Sequence, residues 1–479
     1  MTDLSKYFDG VESGACDAVH KTLKEFWESF PQLVPIDQGT REVFDLELRK
    51  NLAEFNWQKN KNSISLFYGG TALLIALITF SAGIIRRREK NKLNGHYHAL
   101  YAVHAEWSTR TVQLWKYLSD KEATVILLGR PVGQPSIKSF YKYLTLKGIN
   151  TERINLIRPF SLSAYKKTIT SSVSEARNFL EVLACFTQSI GFFPNIKQLA
   201  KMIYRLLLGR SYKFWMAEQD FTTDMCIFGH SGVADSGSLD YAFRERGITT
   251  KHWLHGASHG QNFFGYSSVA ICQSKHDKEL TESLGGYERA TFVPHSMPDQ
   301  AKGNGKWLLM TNWLHPQNRH FRQFGARDEI MLLEQVAAAA KRLDISPGEI
   351  VWRPHPVFNK LQSAVQNKVR QNIVTHGFRE WLENAPFSSI SEYSVVLCTV
   401  STTIIDTLKF GVVPLVHIFQ AFDEVIYVNA LPKFLLINNA EQMVNAIHKL
   451  SDPEFKKLCF HEAWNSIMPS ANKVIPESL

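Results

Sequence analysis

The feature that most constrains this chain is a grammar that runs through it twice. Short apolar runs end in Gly, Pro or a polar cluster, and helical patterns separate them. In the first pass the runs are ATVILLGRP, INLIRP, DMCIFGH, TTKHWLHG, SSVAICQS and ATFVPHS. The second pass restarts with KWLLMTN and continues through GEIVWRPHP, NIVTHG, EYSVVLCT, VVPLV and FLLIN. Strands apolar on both faces are the mark of a parallel sheet covered by helices on each side. Regular βα alternation therefore predicts an α/β class with two doubly wound, Rossmann-like parallel-sheet domains. A length of 479 residues agrees, being too great for one compact core.

The polar joint PDQAKGNGK, at 298 to 306, divides the two passes. It places an N-terminal Rossmann-like acceptor domain at 123–300 and a C-terminal nucleotide domain at 301–450, followed by a helical tail at 451–479 that could return to the first domain. Ahead of these, 86–122 reads as a helical linker and 1–62 as amphipathic helices (VHKTLKEFWESF, TREVFDLELRKNLAEFNW). The GNGK of the joint is no phosphate loop, because it precedes a strand instead of following one.

No charged residue occurs from Ile64 to Ile85, and Arg86, Arg87, Arg88 and Lys90 follow at once. That length and basic flank predict a transmembrane helix at 63–85, with everything after Arg86 at the cytoplasmic face of an inner membrane. Glycines and hydroxyl residues inside it keep a buried or re-entrant hairpin open as the other reading. A net charge of +9 favours anionic partners such as membrane lipids or nucleotide phosphates. Nucleic acid is not expected, since the basic residues are dispersed and no aromatic-basic motif appears. The six cysteines lie far apart, without a metal-knuckle or disulfide spacing.

Chemistry concentrates in the second pass. GEIVWRPHP sets Arg353, His355 and Pro356 at the exit of an apolar strand, where open parallel sheets bind ligands. In SVVLCTVSTTIIDTLKFGVVPLV a strand leads into the hydroxyl cluster Thr399, Ser401, Thr402 and Thr403, and then a helix. Hydroxyls and free N–H groups at such a junction suit phosphate. Asp406, a turn into that helix, suits ribose hydroxyls. Simple helix capping is the alternative for the hydroxyls.

The pair RPHP and CTVSTTIIDTLKFGVVPLV resembles the HP and Ser/Thr motifs of bacterial GT-B glycosyltransferases of surface polysaccharides, the sialyltransferases, polysialyltransferases and capsule Kdo transferases. The resemblance, confined to about 225–450, implies a GT-B fold and an inverting transfer of a sugar from a nucleotide donor, CMP-linked sialic acid or Kdo favoured and a UDP-sugar possible. It implies that His355, Ser401, Thr402 and Asp406 hold the donor nucleotide, although the wider pattern has Glu where Asp406 stands. The acceptor would be a glycan or lipid-linked glycan. Similar motifs occur in CDP-glycerol-type polyol-phosphate transferases, and a non-catalytic subunit of an assembly complex keeps the same body.

Inverting transfer needs a base for the acceptor hydroxyl. In CIFGHSGVADSGSLDYAFRERG, a strand opens into a loop offering His230 and Asp235 before a helix that contains Asp240. Asp235 is the candidate base, with helix capping as its alternative role. His255 in TTKHWLHGASHG resembles the HG that ends a first-domain strand in these enzymes. The series His252, His255 and His259 lacks the acid or Cys to complete a zinc set, and no Asp-x-Asp occurs. No cofactor or metal is therefore expected. His315 and His320 lie in a loop that could touch the donor.

Overall fold

The computed structural model describes residues 66–84, 92–104, 118–128, 137–146, 148–190, 192–229, 234–254, 266–284, 287–292, 295–311, 326–354, 363–381, 387–399, 403–418 and 430–468, with short pieces at 25–26, 28, 57–59, 115 and 358–359. Two compact units result. The first comprises Met1–His255, Gly260–Ile271 and Thr281–Thr291; the second comprises Gly256–His259, Cys272–Leu280 and Phe292–Leu479.

In chain order the first part runs β1 (Trp57–Lys59), α1 (Leu66–Ile84), β2 (Asn94–His104), β3 (Ala123–Leu128), α2 (Ile137–Leu146), β4 (Ile154–Ile157), α3 (Leu162–Ile190), β5 (Phe192–Pro194) and α4 (Ile196–Ala217). It continues with β6 (Asp220–Phe228), α5 (Ala234–Glu245), β7 (Thr249–Trp253), β8 (Val269–Cys272), α6 (Lys275–Leu284) and β9 (Arg289–Phe292). The rest is β10 (Trp307–Met310), α7 (Ala326–Arg342), β11 (Ile350–Arg353), α8 (Ser363–Thr375), β12 (Arg379–Glu380), β13 (Val395–Thr399), α9 (Thr403–Lys409), β14 (Pro414–His417), β15 (Leu436–Ile437), α10 (Ala440–Leu450) and α11 (Pro453–Ile467).

The seven-stranded sheet has the order β4-β3-β2-β6-β7-β8-β9 and the six-stranded sheet the order β12-β11-β10-β13-β14-β15. Each begins at its centre, winds to one side, and then crosses to the other, the 3-2-1-4-5-6 course of a Rossmann sheet. The expected pair of doubly wound units is present. In the first sheet, alternate residues of one strand serve two cores. Leu100 and Ala102 of β2 join Ala176, Leu199 and Leu239 on one face. Tyr101 and Val103 join Phe140 and Leu144 of α2 on the other. In the second, Leu309 of β10 lies in register between Trp352 of β11 and Leu397 of β13. Trp352 is fully buried, its indole Nε1 donating to Glu329 Oε1 at 2.5 Å and to Thr311 Oγ1 at 3.2 Å.

Two expectations change. The 86–122 segment is not a helical linker throughout, because β2 occupies its middle and forms the centre of the first sheet. Its first half alternates exposed His96 and His98 with half-buried Tyr97 and Ala99, and its second half is buried on both faces. Of the tail, Phe460, Ala463, Trp464 and Ile467 of α11 lie in the core of the second unit, and the Asn465 carbonyl accepts from Lys275 Nζ; the stretch after residue 468 lies outside the described residues. Gly411 ends α9 at φ +76°, where a Cβ would stand 2.2 Å from the Asp299 carbonyl oxygen, so only glycine fits that turn.

The second change concerns 63–85. Among the described residues no helix is long and apolar enough to cross a membrane. More decisively, one of its faces belongs to the core of the first unit. Ala72, Ala76 and Phe80 are at most 1 % exposed there, and Phe80 stacks on Tyr165 at 5.6 Å. Tyr68 Oη donates to the Pro194 carbonyl, and Tyr165 Oη donates to Ser81 Oγ, each at 3.1 Å. Both flanks are held as well, since β1 pairs with β5 and β2 enters the sheet. A single-pass helix would put its two flanks on opposite sides of a bilayer. Of the 1–62 segment, Phe26 is fully buried in the same core, edge-on to Phe186 at 5.1 Å.

Packing this close makes a prediction. Ala76→Leu should destabilise the protein by about 1–3 kcal/mol through overpacking, whereas Leu74→Ser, on the opposite face, should leave stability within about 0.5 kcal/mol. Denaturant unfolding of both variants checks this, and equal effects would contradict the one-sided burial of α1.

Candidate functional site

In an open parallel sheet, ligands bind beyond the carboxyl ends of the strands, where the strand order switches sides. In the second unit that point lies between β10 and β13, with β11 alongside. The residues that end these strands are Thr311 just beyond β10, Arg353 on β11 and Thr399 on β13. Thr311 and Thr399 are each 4 % exposed. The Thr311 amide donates to the Arg353 carbonyl at 3.2 Å, tying two of the strand exits together.

Arg353 is mostly enclosed. Its guanidinium lies 5.4 Å from the Trp381 ring centroid and faces Met310 Sδ at 3.7 Å. Burial lowers its pKa from the usual arginine value, while the charge of Asp406 opposes that shift. Asp406 stands in the first turn of α9, the short helix that follows β13. The structure thus brings together Arg353, Thr399 and Asp406, as expected from the sequence. With seven residues α9 has little dipole to offer, so charge here comes from side chains.

Two cationic or basic groups join them that the sequence reading missed. Lys409, at the end of α9, donates through Nζ to Gln273 Oε1 at 3.0 Å. Burial lowers the Lys409 pKa, opposed by Asp406 and by Asp277, which is fully buried at the start of α6. His295 has its pKa pushed down to about 3, first by burial and then by Lys409, and it is neutral at pH 7. Among the described residues its Nε2 has no hydrogen-bond partner. Gln273 and Asp277 belong to the Cys272–Leu280 piece of the second unit, so this cluster is internal to that unit. The sequence signal was weak because a separation of 136 residues divides Lys409 from Gln273.

His355, Pro356, Ser401 and Thr402 lie outside the described residues, as do His230, His255, His259, His315 and His320. Each adjoins a described element: His355 and Pro356 come two and three positions after Arg353, and Ser401 and Thr402 fill the gap between Thr399 and Thr403.

In the first unit Asp235 is not in a loop. It occupies the first turn of α5, directly after β6, and is 3 % exposed. The Gly229 amide bonds the Ala102 carbonyl at 2.9 Å, so the chain leaves β6 beside β2, at that sheet's own switch point. Asp240 lies within α5, as expected. Arg244 Nε at 3.1 Å and the Ser267 hydroxyl both donate to it, and burial raises its pKa. His252 is buried on β7 with Nδ1 2.6 Å from Tyr287 Oη, a packed histidine whose pKa burial lowers to about 3.

No protein-family model and no curated protein matches the chain. Among solved structures it is similar to a UDP co-structure of Staphylococcus aureus MnaA, at 13 % identity over 78 % of this chain and 91 % of that one, with a TM-score of 0.40. It is similar to the UDP-forming α,α-trehalose-phosphate synthase of Burkholderia vietnamiensis, at 9 % identity over 77 % and 95 %, TM-score 0.42. Acinetobacter baumannii MurG shows 12 % identity over 79 % and 97 %, TM-score 0.39. These likenesses assign no activity to the chain.

The buried histidines give a pH dependence. His252, His295 and His417, the last held 2.7 Å from Gln335 and lowered to about 4, are neutral when folded and titrate near 6.5 when unfolded. The unfolded chain binds more protons below that pH, so this stability is complete above about pH 6.5 and is lost as pH falls toward 4. Each histidine should contribute a slope of about 1.4 kcal/mol per pH unit in that window. Unfolding free energies measured from pH 7 to pH 4 check the sign; a flat profile would refute it.

Proposed function

We propose that the protein is an inverting, nucleotide-sugar-dependent glycosyltransferase that works at a membrane surface on a cell-surface polysaccharide or glycolipid acceptor. The observation that carries this is the enclosed ionic cluster of Arg353, Asp406 and Lys409 with Thr399, set at the switch point of a Rossmann-order sheet. It borders the HP and Ser/Thr segments. A CMP-linked sialic acid or Kdo is the favoured donor, and a UDP-sugar is the next. The cytoplasmic face of the inner membrane is the proposed location.

In this reading Arg353 and Lys409 meet the donor phosphate, and Asp406 accepts from the ribose hydroxyls. The reaction forms a bond from the acceptor oxygen to the anomeric carbon and breaks that carbon's bond to the phosphate oxygen, which leaves with the electron pair. Cations already fixed in an enclosed site stabilise the charge that develops there without having to reorganise. Asp235 takes the acceptor proton, with His255 as the second catalytic candidate. His355, Pro356, Ser401 and Thr402 complete the donor site.

Thermal unfolding with CMP, CDP, UDP and GDP tests the donor site. CMP should stabilise by about 2.7 kcal/mol at a hundred times its dissociation constant, and Lys409→Met or His355→Ala should abolish the shift. Sugar transfer from CMP-linked donors should fall by about 10²–10⁴ in Asp235→Asn, with nucleotide stabilisation intact. Stabilisation by none of the four nucleotides would sink the proposal, and consumption of CDP-glycerol alone would reassign the reaction to polyol-phosphate transfer.

A further inference from the structure

The helix that does not span a membrane still presents an apolar face to the outside. Residues Ala72, Ala76 and Phe80 of α1 point into the core, and the face opposite carries Leu74, Ile75 and Ile78 at 59 %, 41 % and 60 % exposure. Gly70 and Thr79 are also exposed on that side. No charged residue occurs in the helix, and the exposed hydroxyl is satisfied internally, Thr79 Oγ1 donating to the Ile75 carbonyl at 2.7 Å. Three large aliphatic side chains within two turns, with no charged group among them, make a contiguous apolar patch of the kind that marks an interaction site. Among the described residues nothing covers it.

Charge surrounds one end of this face. The bond between Tyr165 and Ser81 sets the start of α3 beside the C-terminal end of α1. There α3 carries exposed Lys166, with Lys167 beside it paired to Glu218 at 3.4 Å, and in sequence α1 is followed by Arg86, Arg87, Arg88 and Lys90. An apolar strip bounded by cations is complementary to a bilayer with anionic headgroups, where aliphatic side chains enter the acyl boundary and cations stay among the phosphates.

We infer that α1 lies in the plane of an anionic membrane, with Leu74, Ile75 and Ile78 inserted in the lipid and its inner face still packed in the first unit. This is one-sided, monotopic contact, and it does not depend on the transferase reading, because lipid binding needs no nucleotide.

Co-sedimentation of the full chain with vesicles of phosphatidylcholine alone, or with about one-third phosphatidylglycerol, tests it. The protein should bind the anionic vesicles and do so less as salt rises. The double variant Leu74→Ser/Ile78→Ser should keep its melting temperature and lose about tenfold in binding. Val374→Ser, which removes a similarly exposed aliphatic residue from α8, should bind as the parent does. Failure of the parent protein to bind anionic vesicles would overturn the inference, as would undiminished binding by the double variant. A lowered melting temperature in the double variant would show instead that the chain itself covers this face, and would overturn it equally.

Discussion

A parallel sheet must be covered on both faces, and most of this molecule is the answer to that requirement. The strands β2 and β10 each lie at a centre with helices on both sides, so their side chains are spent on packing and only their carboxyl ends remain to do anything else. Residues such as Leu100 and Leu309 are excluded from chemistry by position. Polar groups that cannot be placed in the sheet gather where strands stop, and Thr311, Arg353 and Thr399 are those groups in the second unit. The same constraint puts Asp235 just past the end of β6 in the first unit.

Covering the first sheet also explains the helix at 66–84. Ala72 and Ala76 are small enough to let α1 approach α4 closely, and Phe80 fills the space at the end of that stripe against Tyr165 and Tyr204. Hydropathy summed along a segment cannot distinguish a helix bathed in lipid from one with a single buried face. Because this helix is apolar all round, with Leu73 and Leu77 beside Ala72, Ala76 and Phe80 on the packed side and Leu74, Ile75 and Ile78 on the other, the sequence carries no polar face to reveal which side is buried.

Legibility elsewhere followed how local each signal was. The strands β10, β11, β13 and β14 are continuous apolar runs and could be read with their exits, which is why Arg353 and Thr399 were placed at strand ends and Asp406 in the helix after β13. β2 was missed although the Tyr and Val of NGHYHALYAVH favour a strand, and it is fixed as one by neighbours on both edges supplied by residues 123–128 and 220–228. Lys409 and His295 read as an ordinary helix-terminal lysine and a loop histidine. Only folding brings Gln273 and Asp277 against that lysine, across more than a hundred residues.

Those last contacts bear on why the cluster exists at all. Enclosing a guanidinium and an ammonium costs solvation that their attraction to Asp406 and Asp277 only partly returns, and apolar residues of similar size commonly give equal or greater stability. Arg353 and Lys409 show the burden, their pKa values lowered by burial in spite of the carboxylates nearby, and His295 is lowered by burial and by the charge of Lys409. Their place beside the strand exits, next to the segments that end in His355 and Ser401, fits groups kept for a ligand: they are held in position and partly stripped of water before an anion arrives, so the cost is met in folding and not at each binding event.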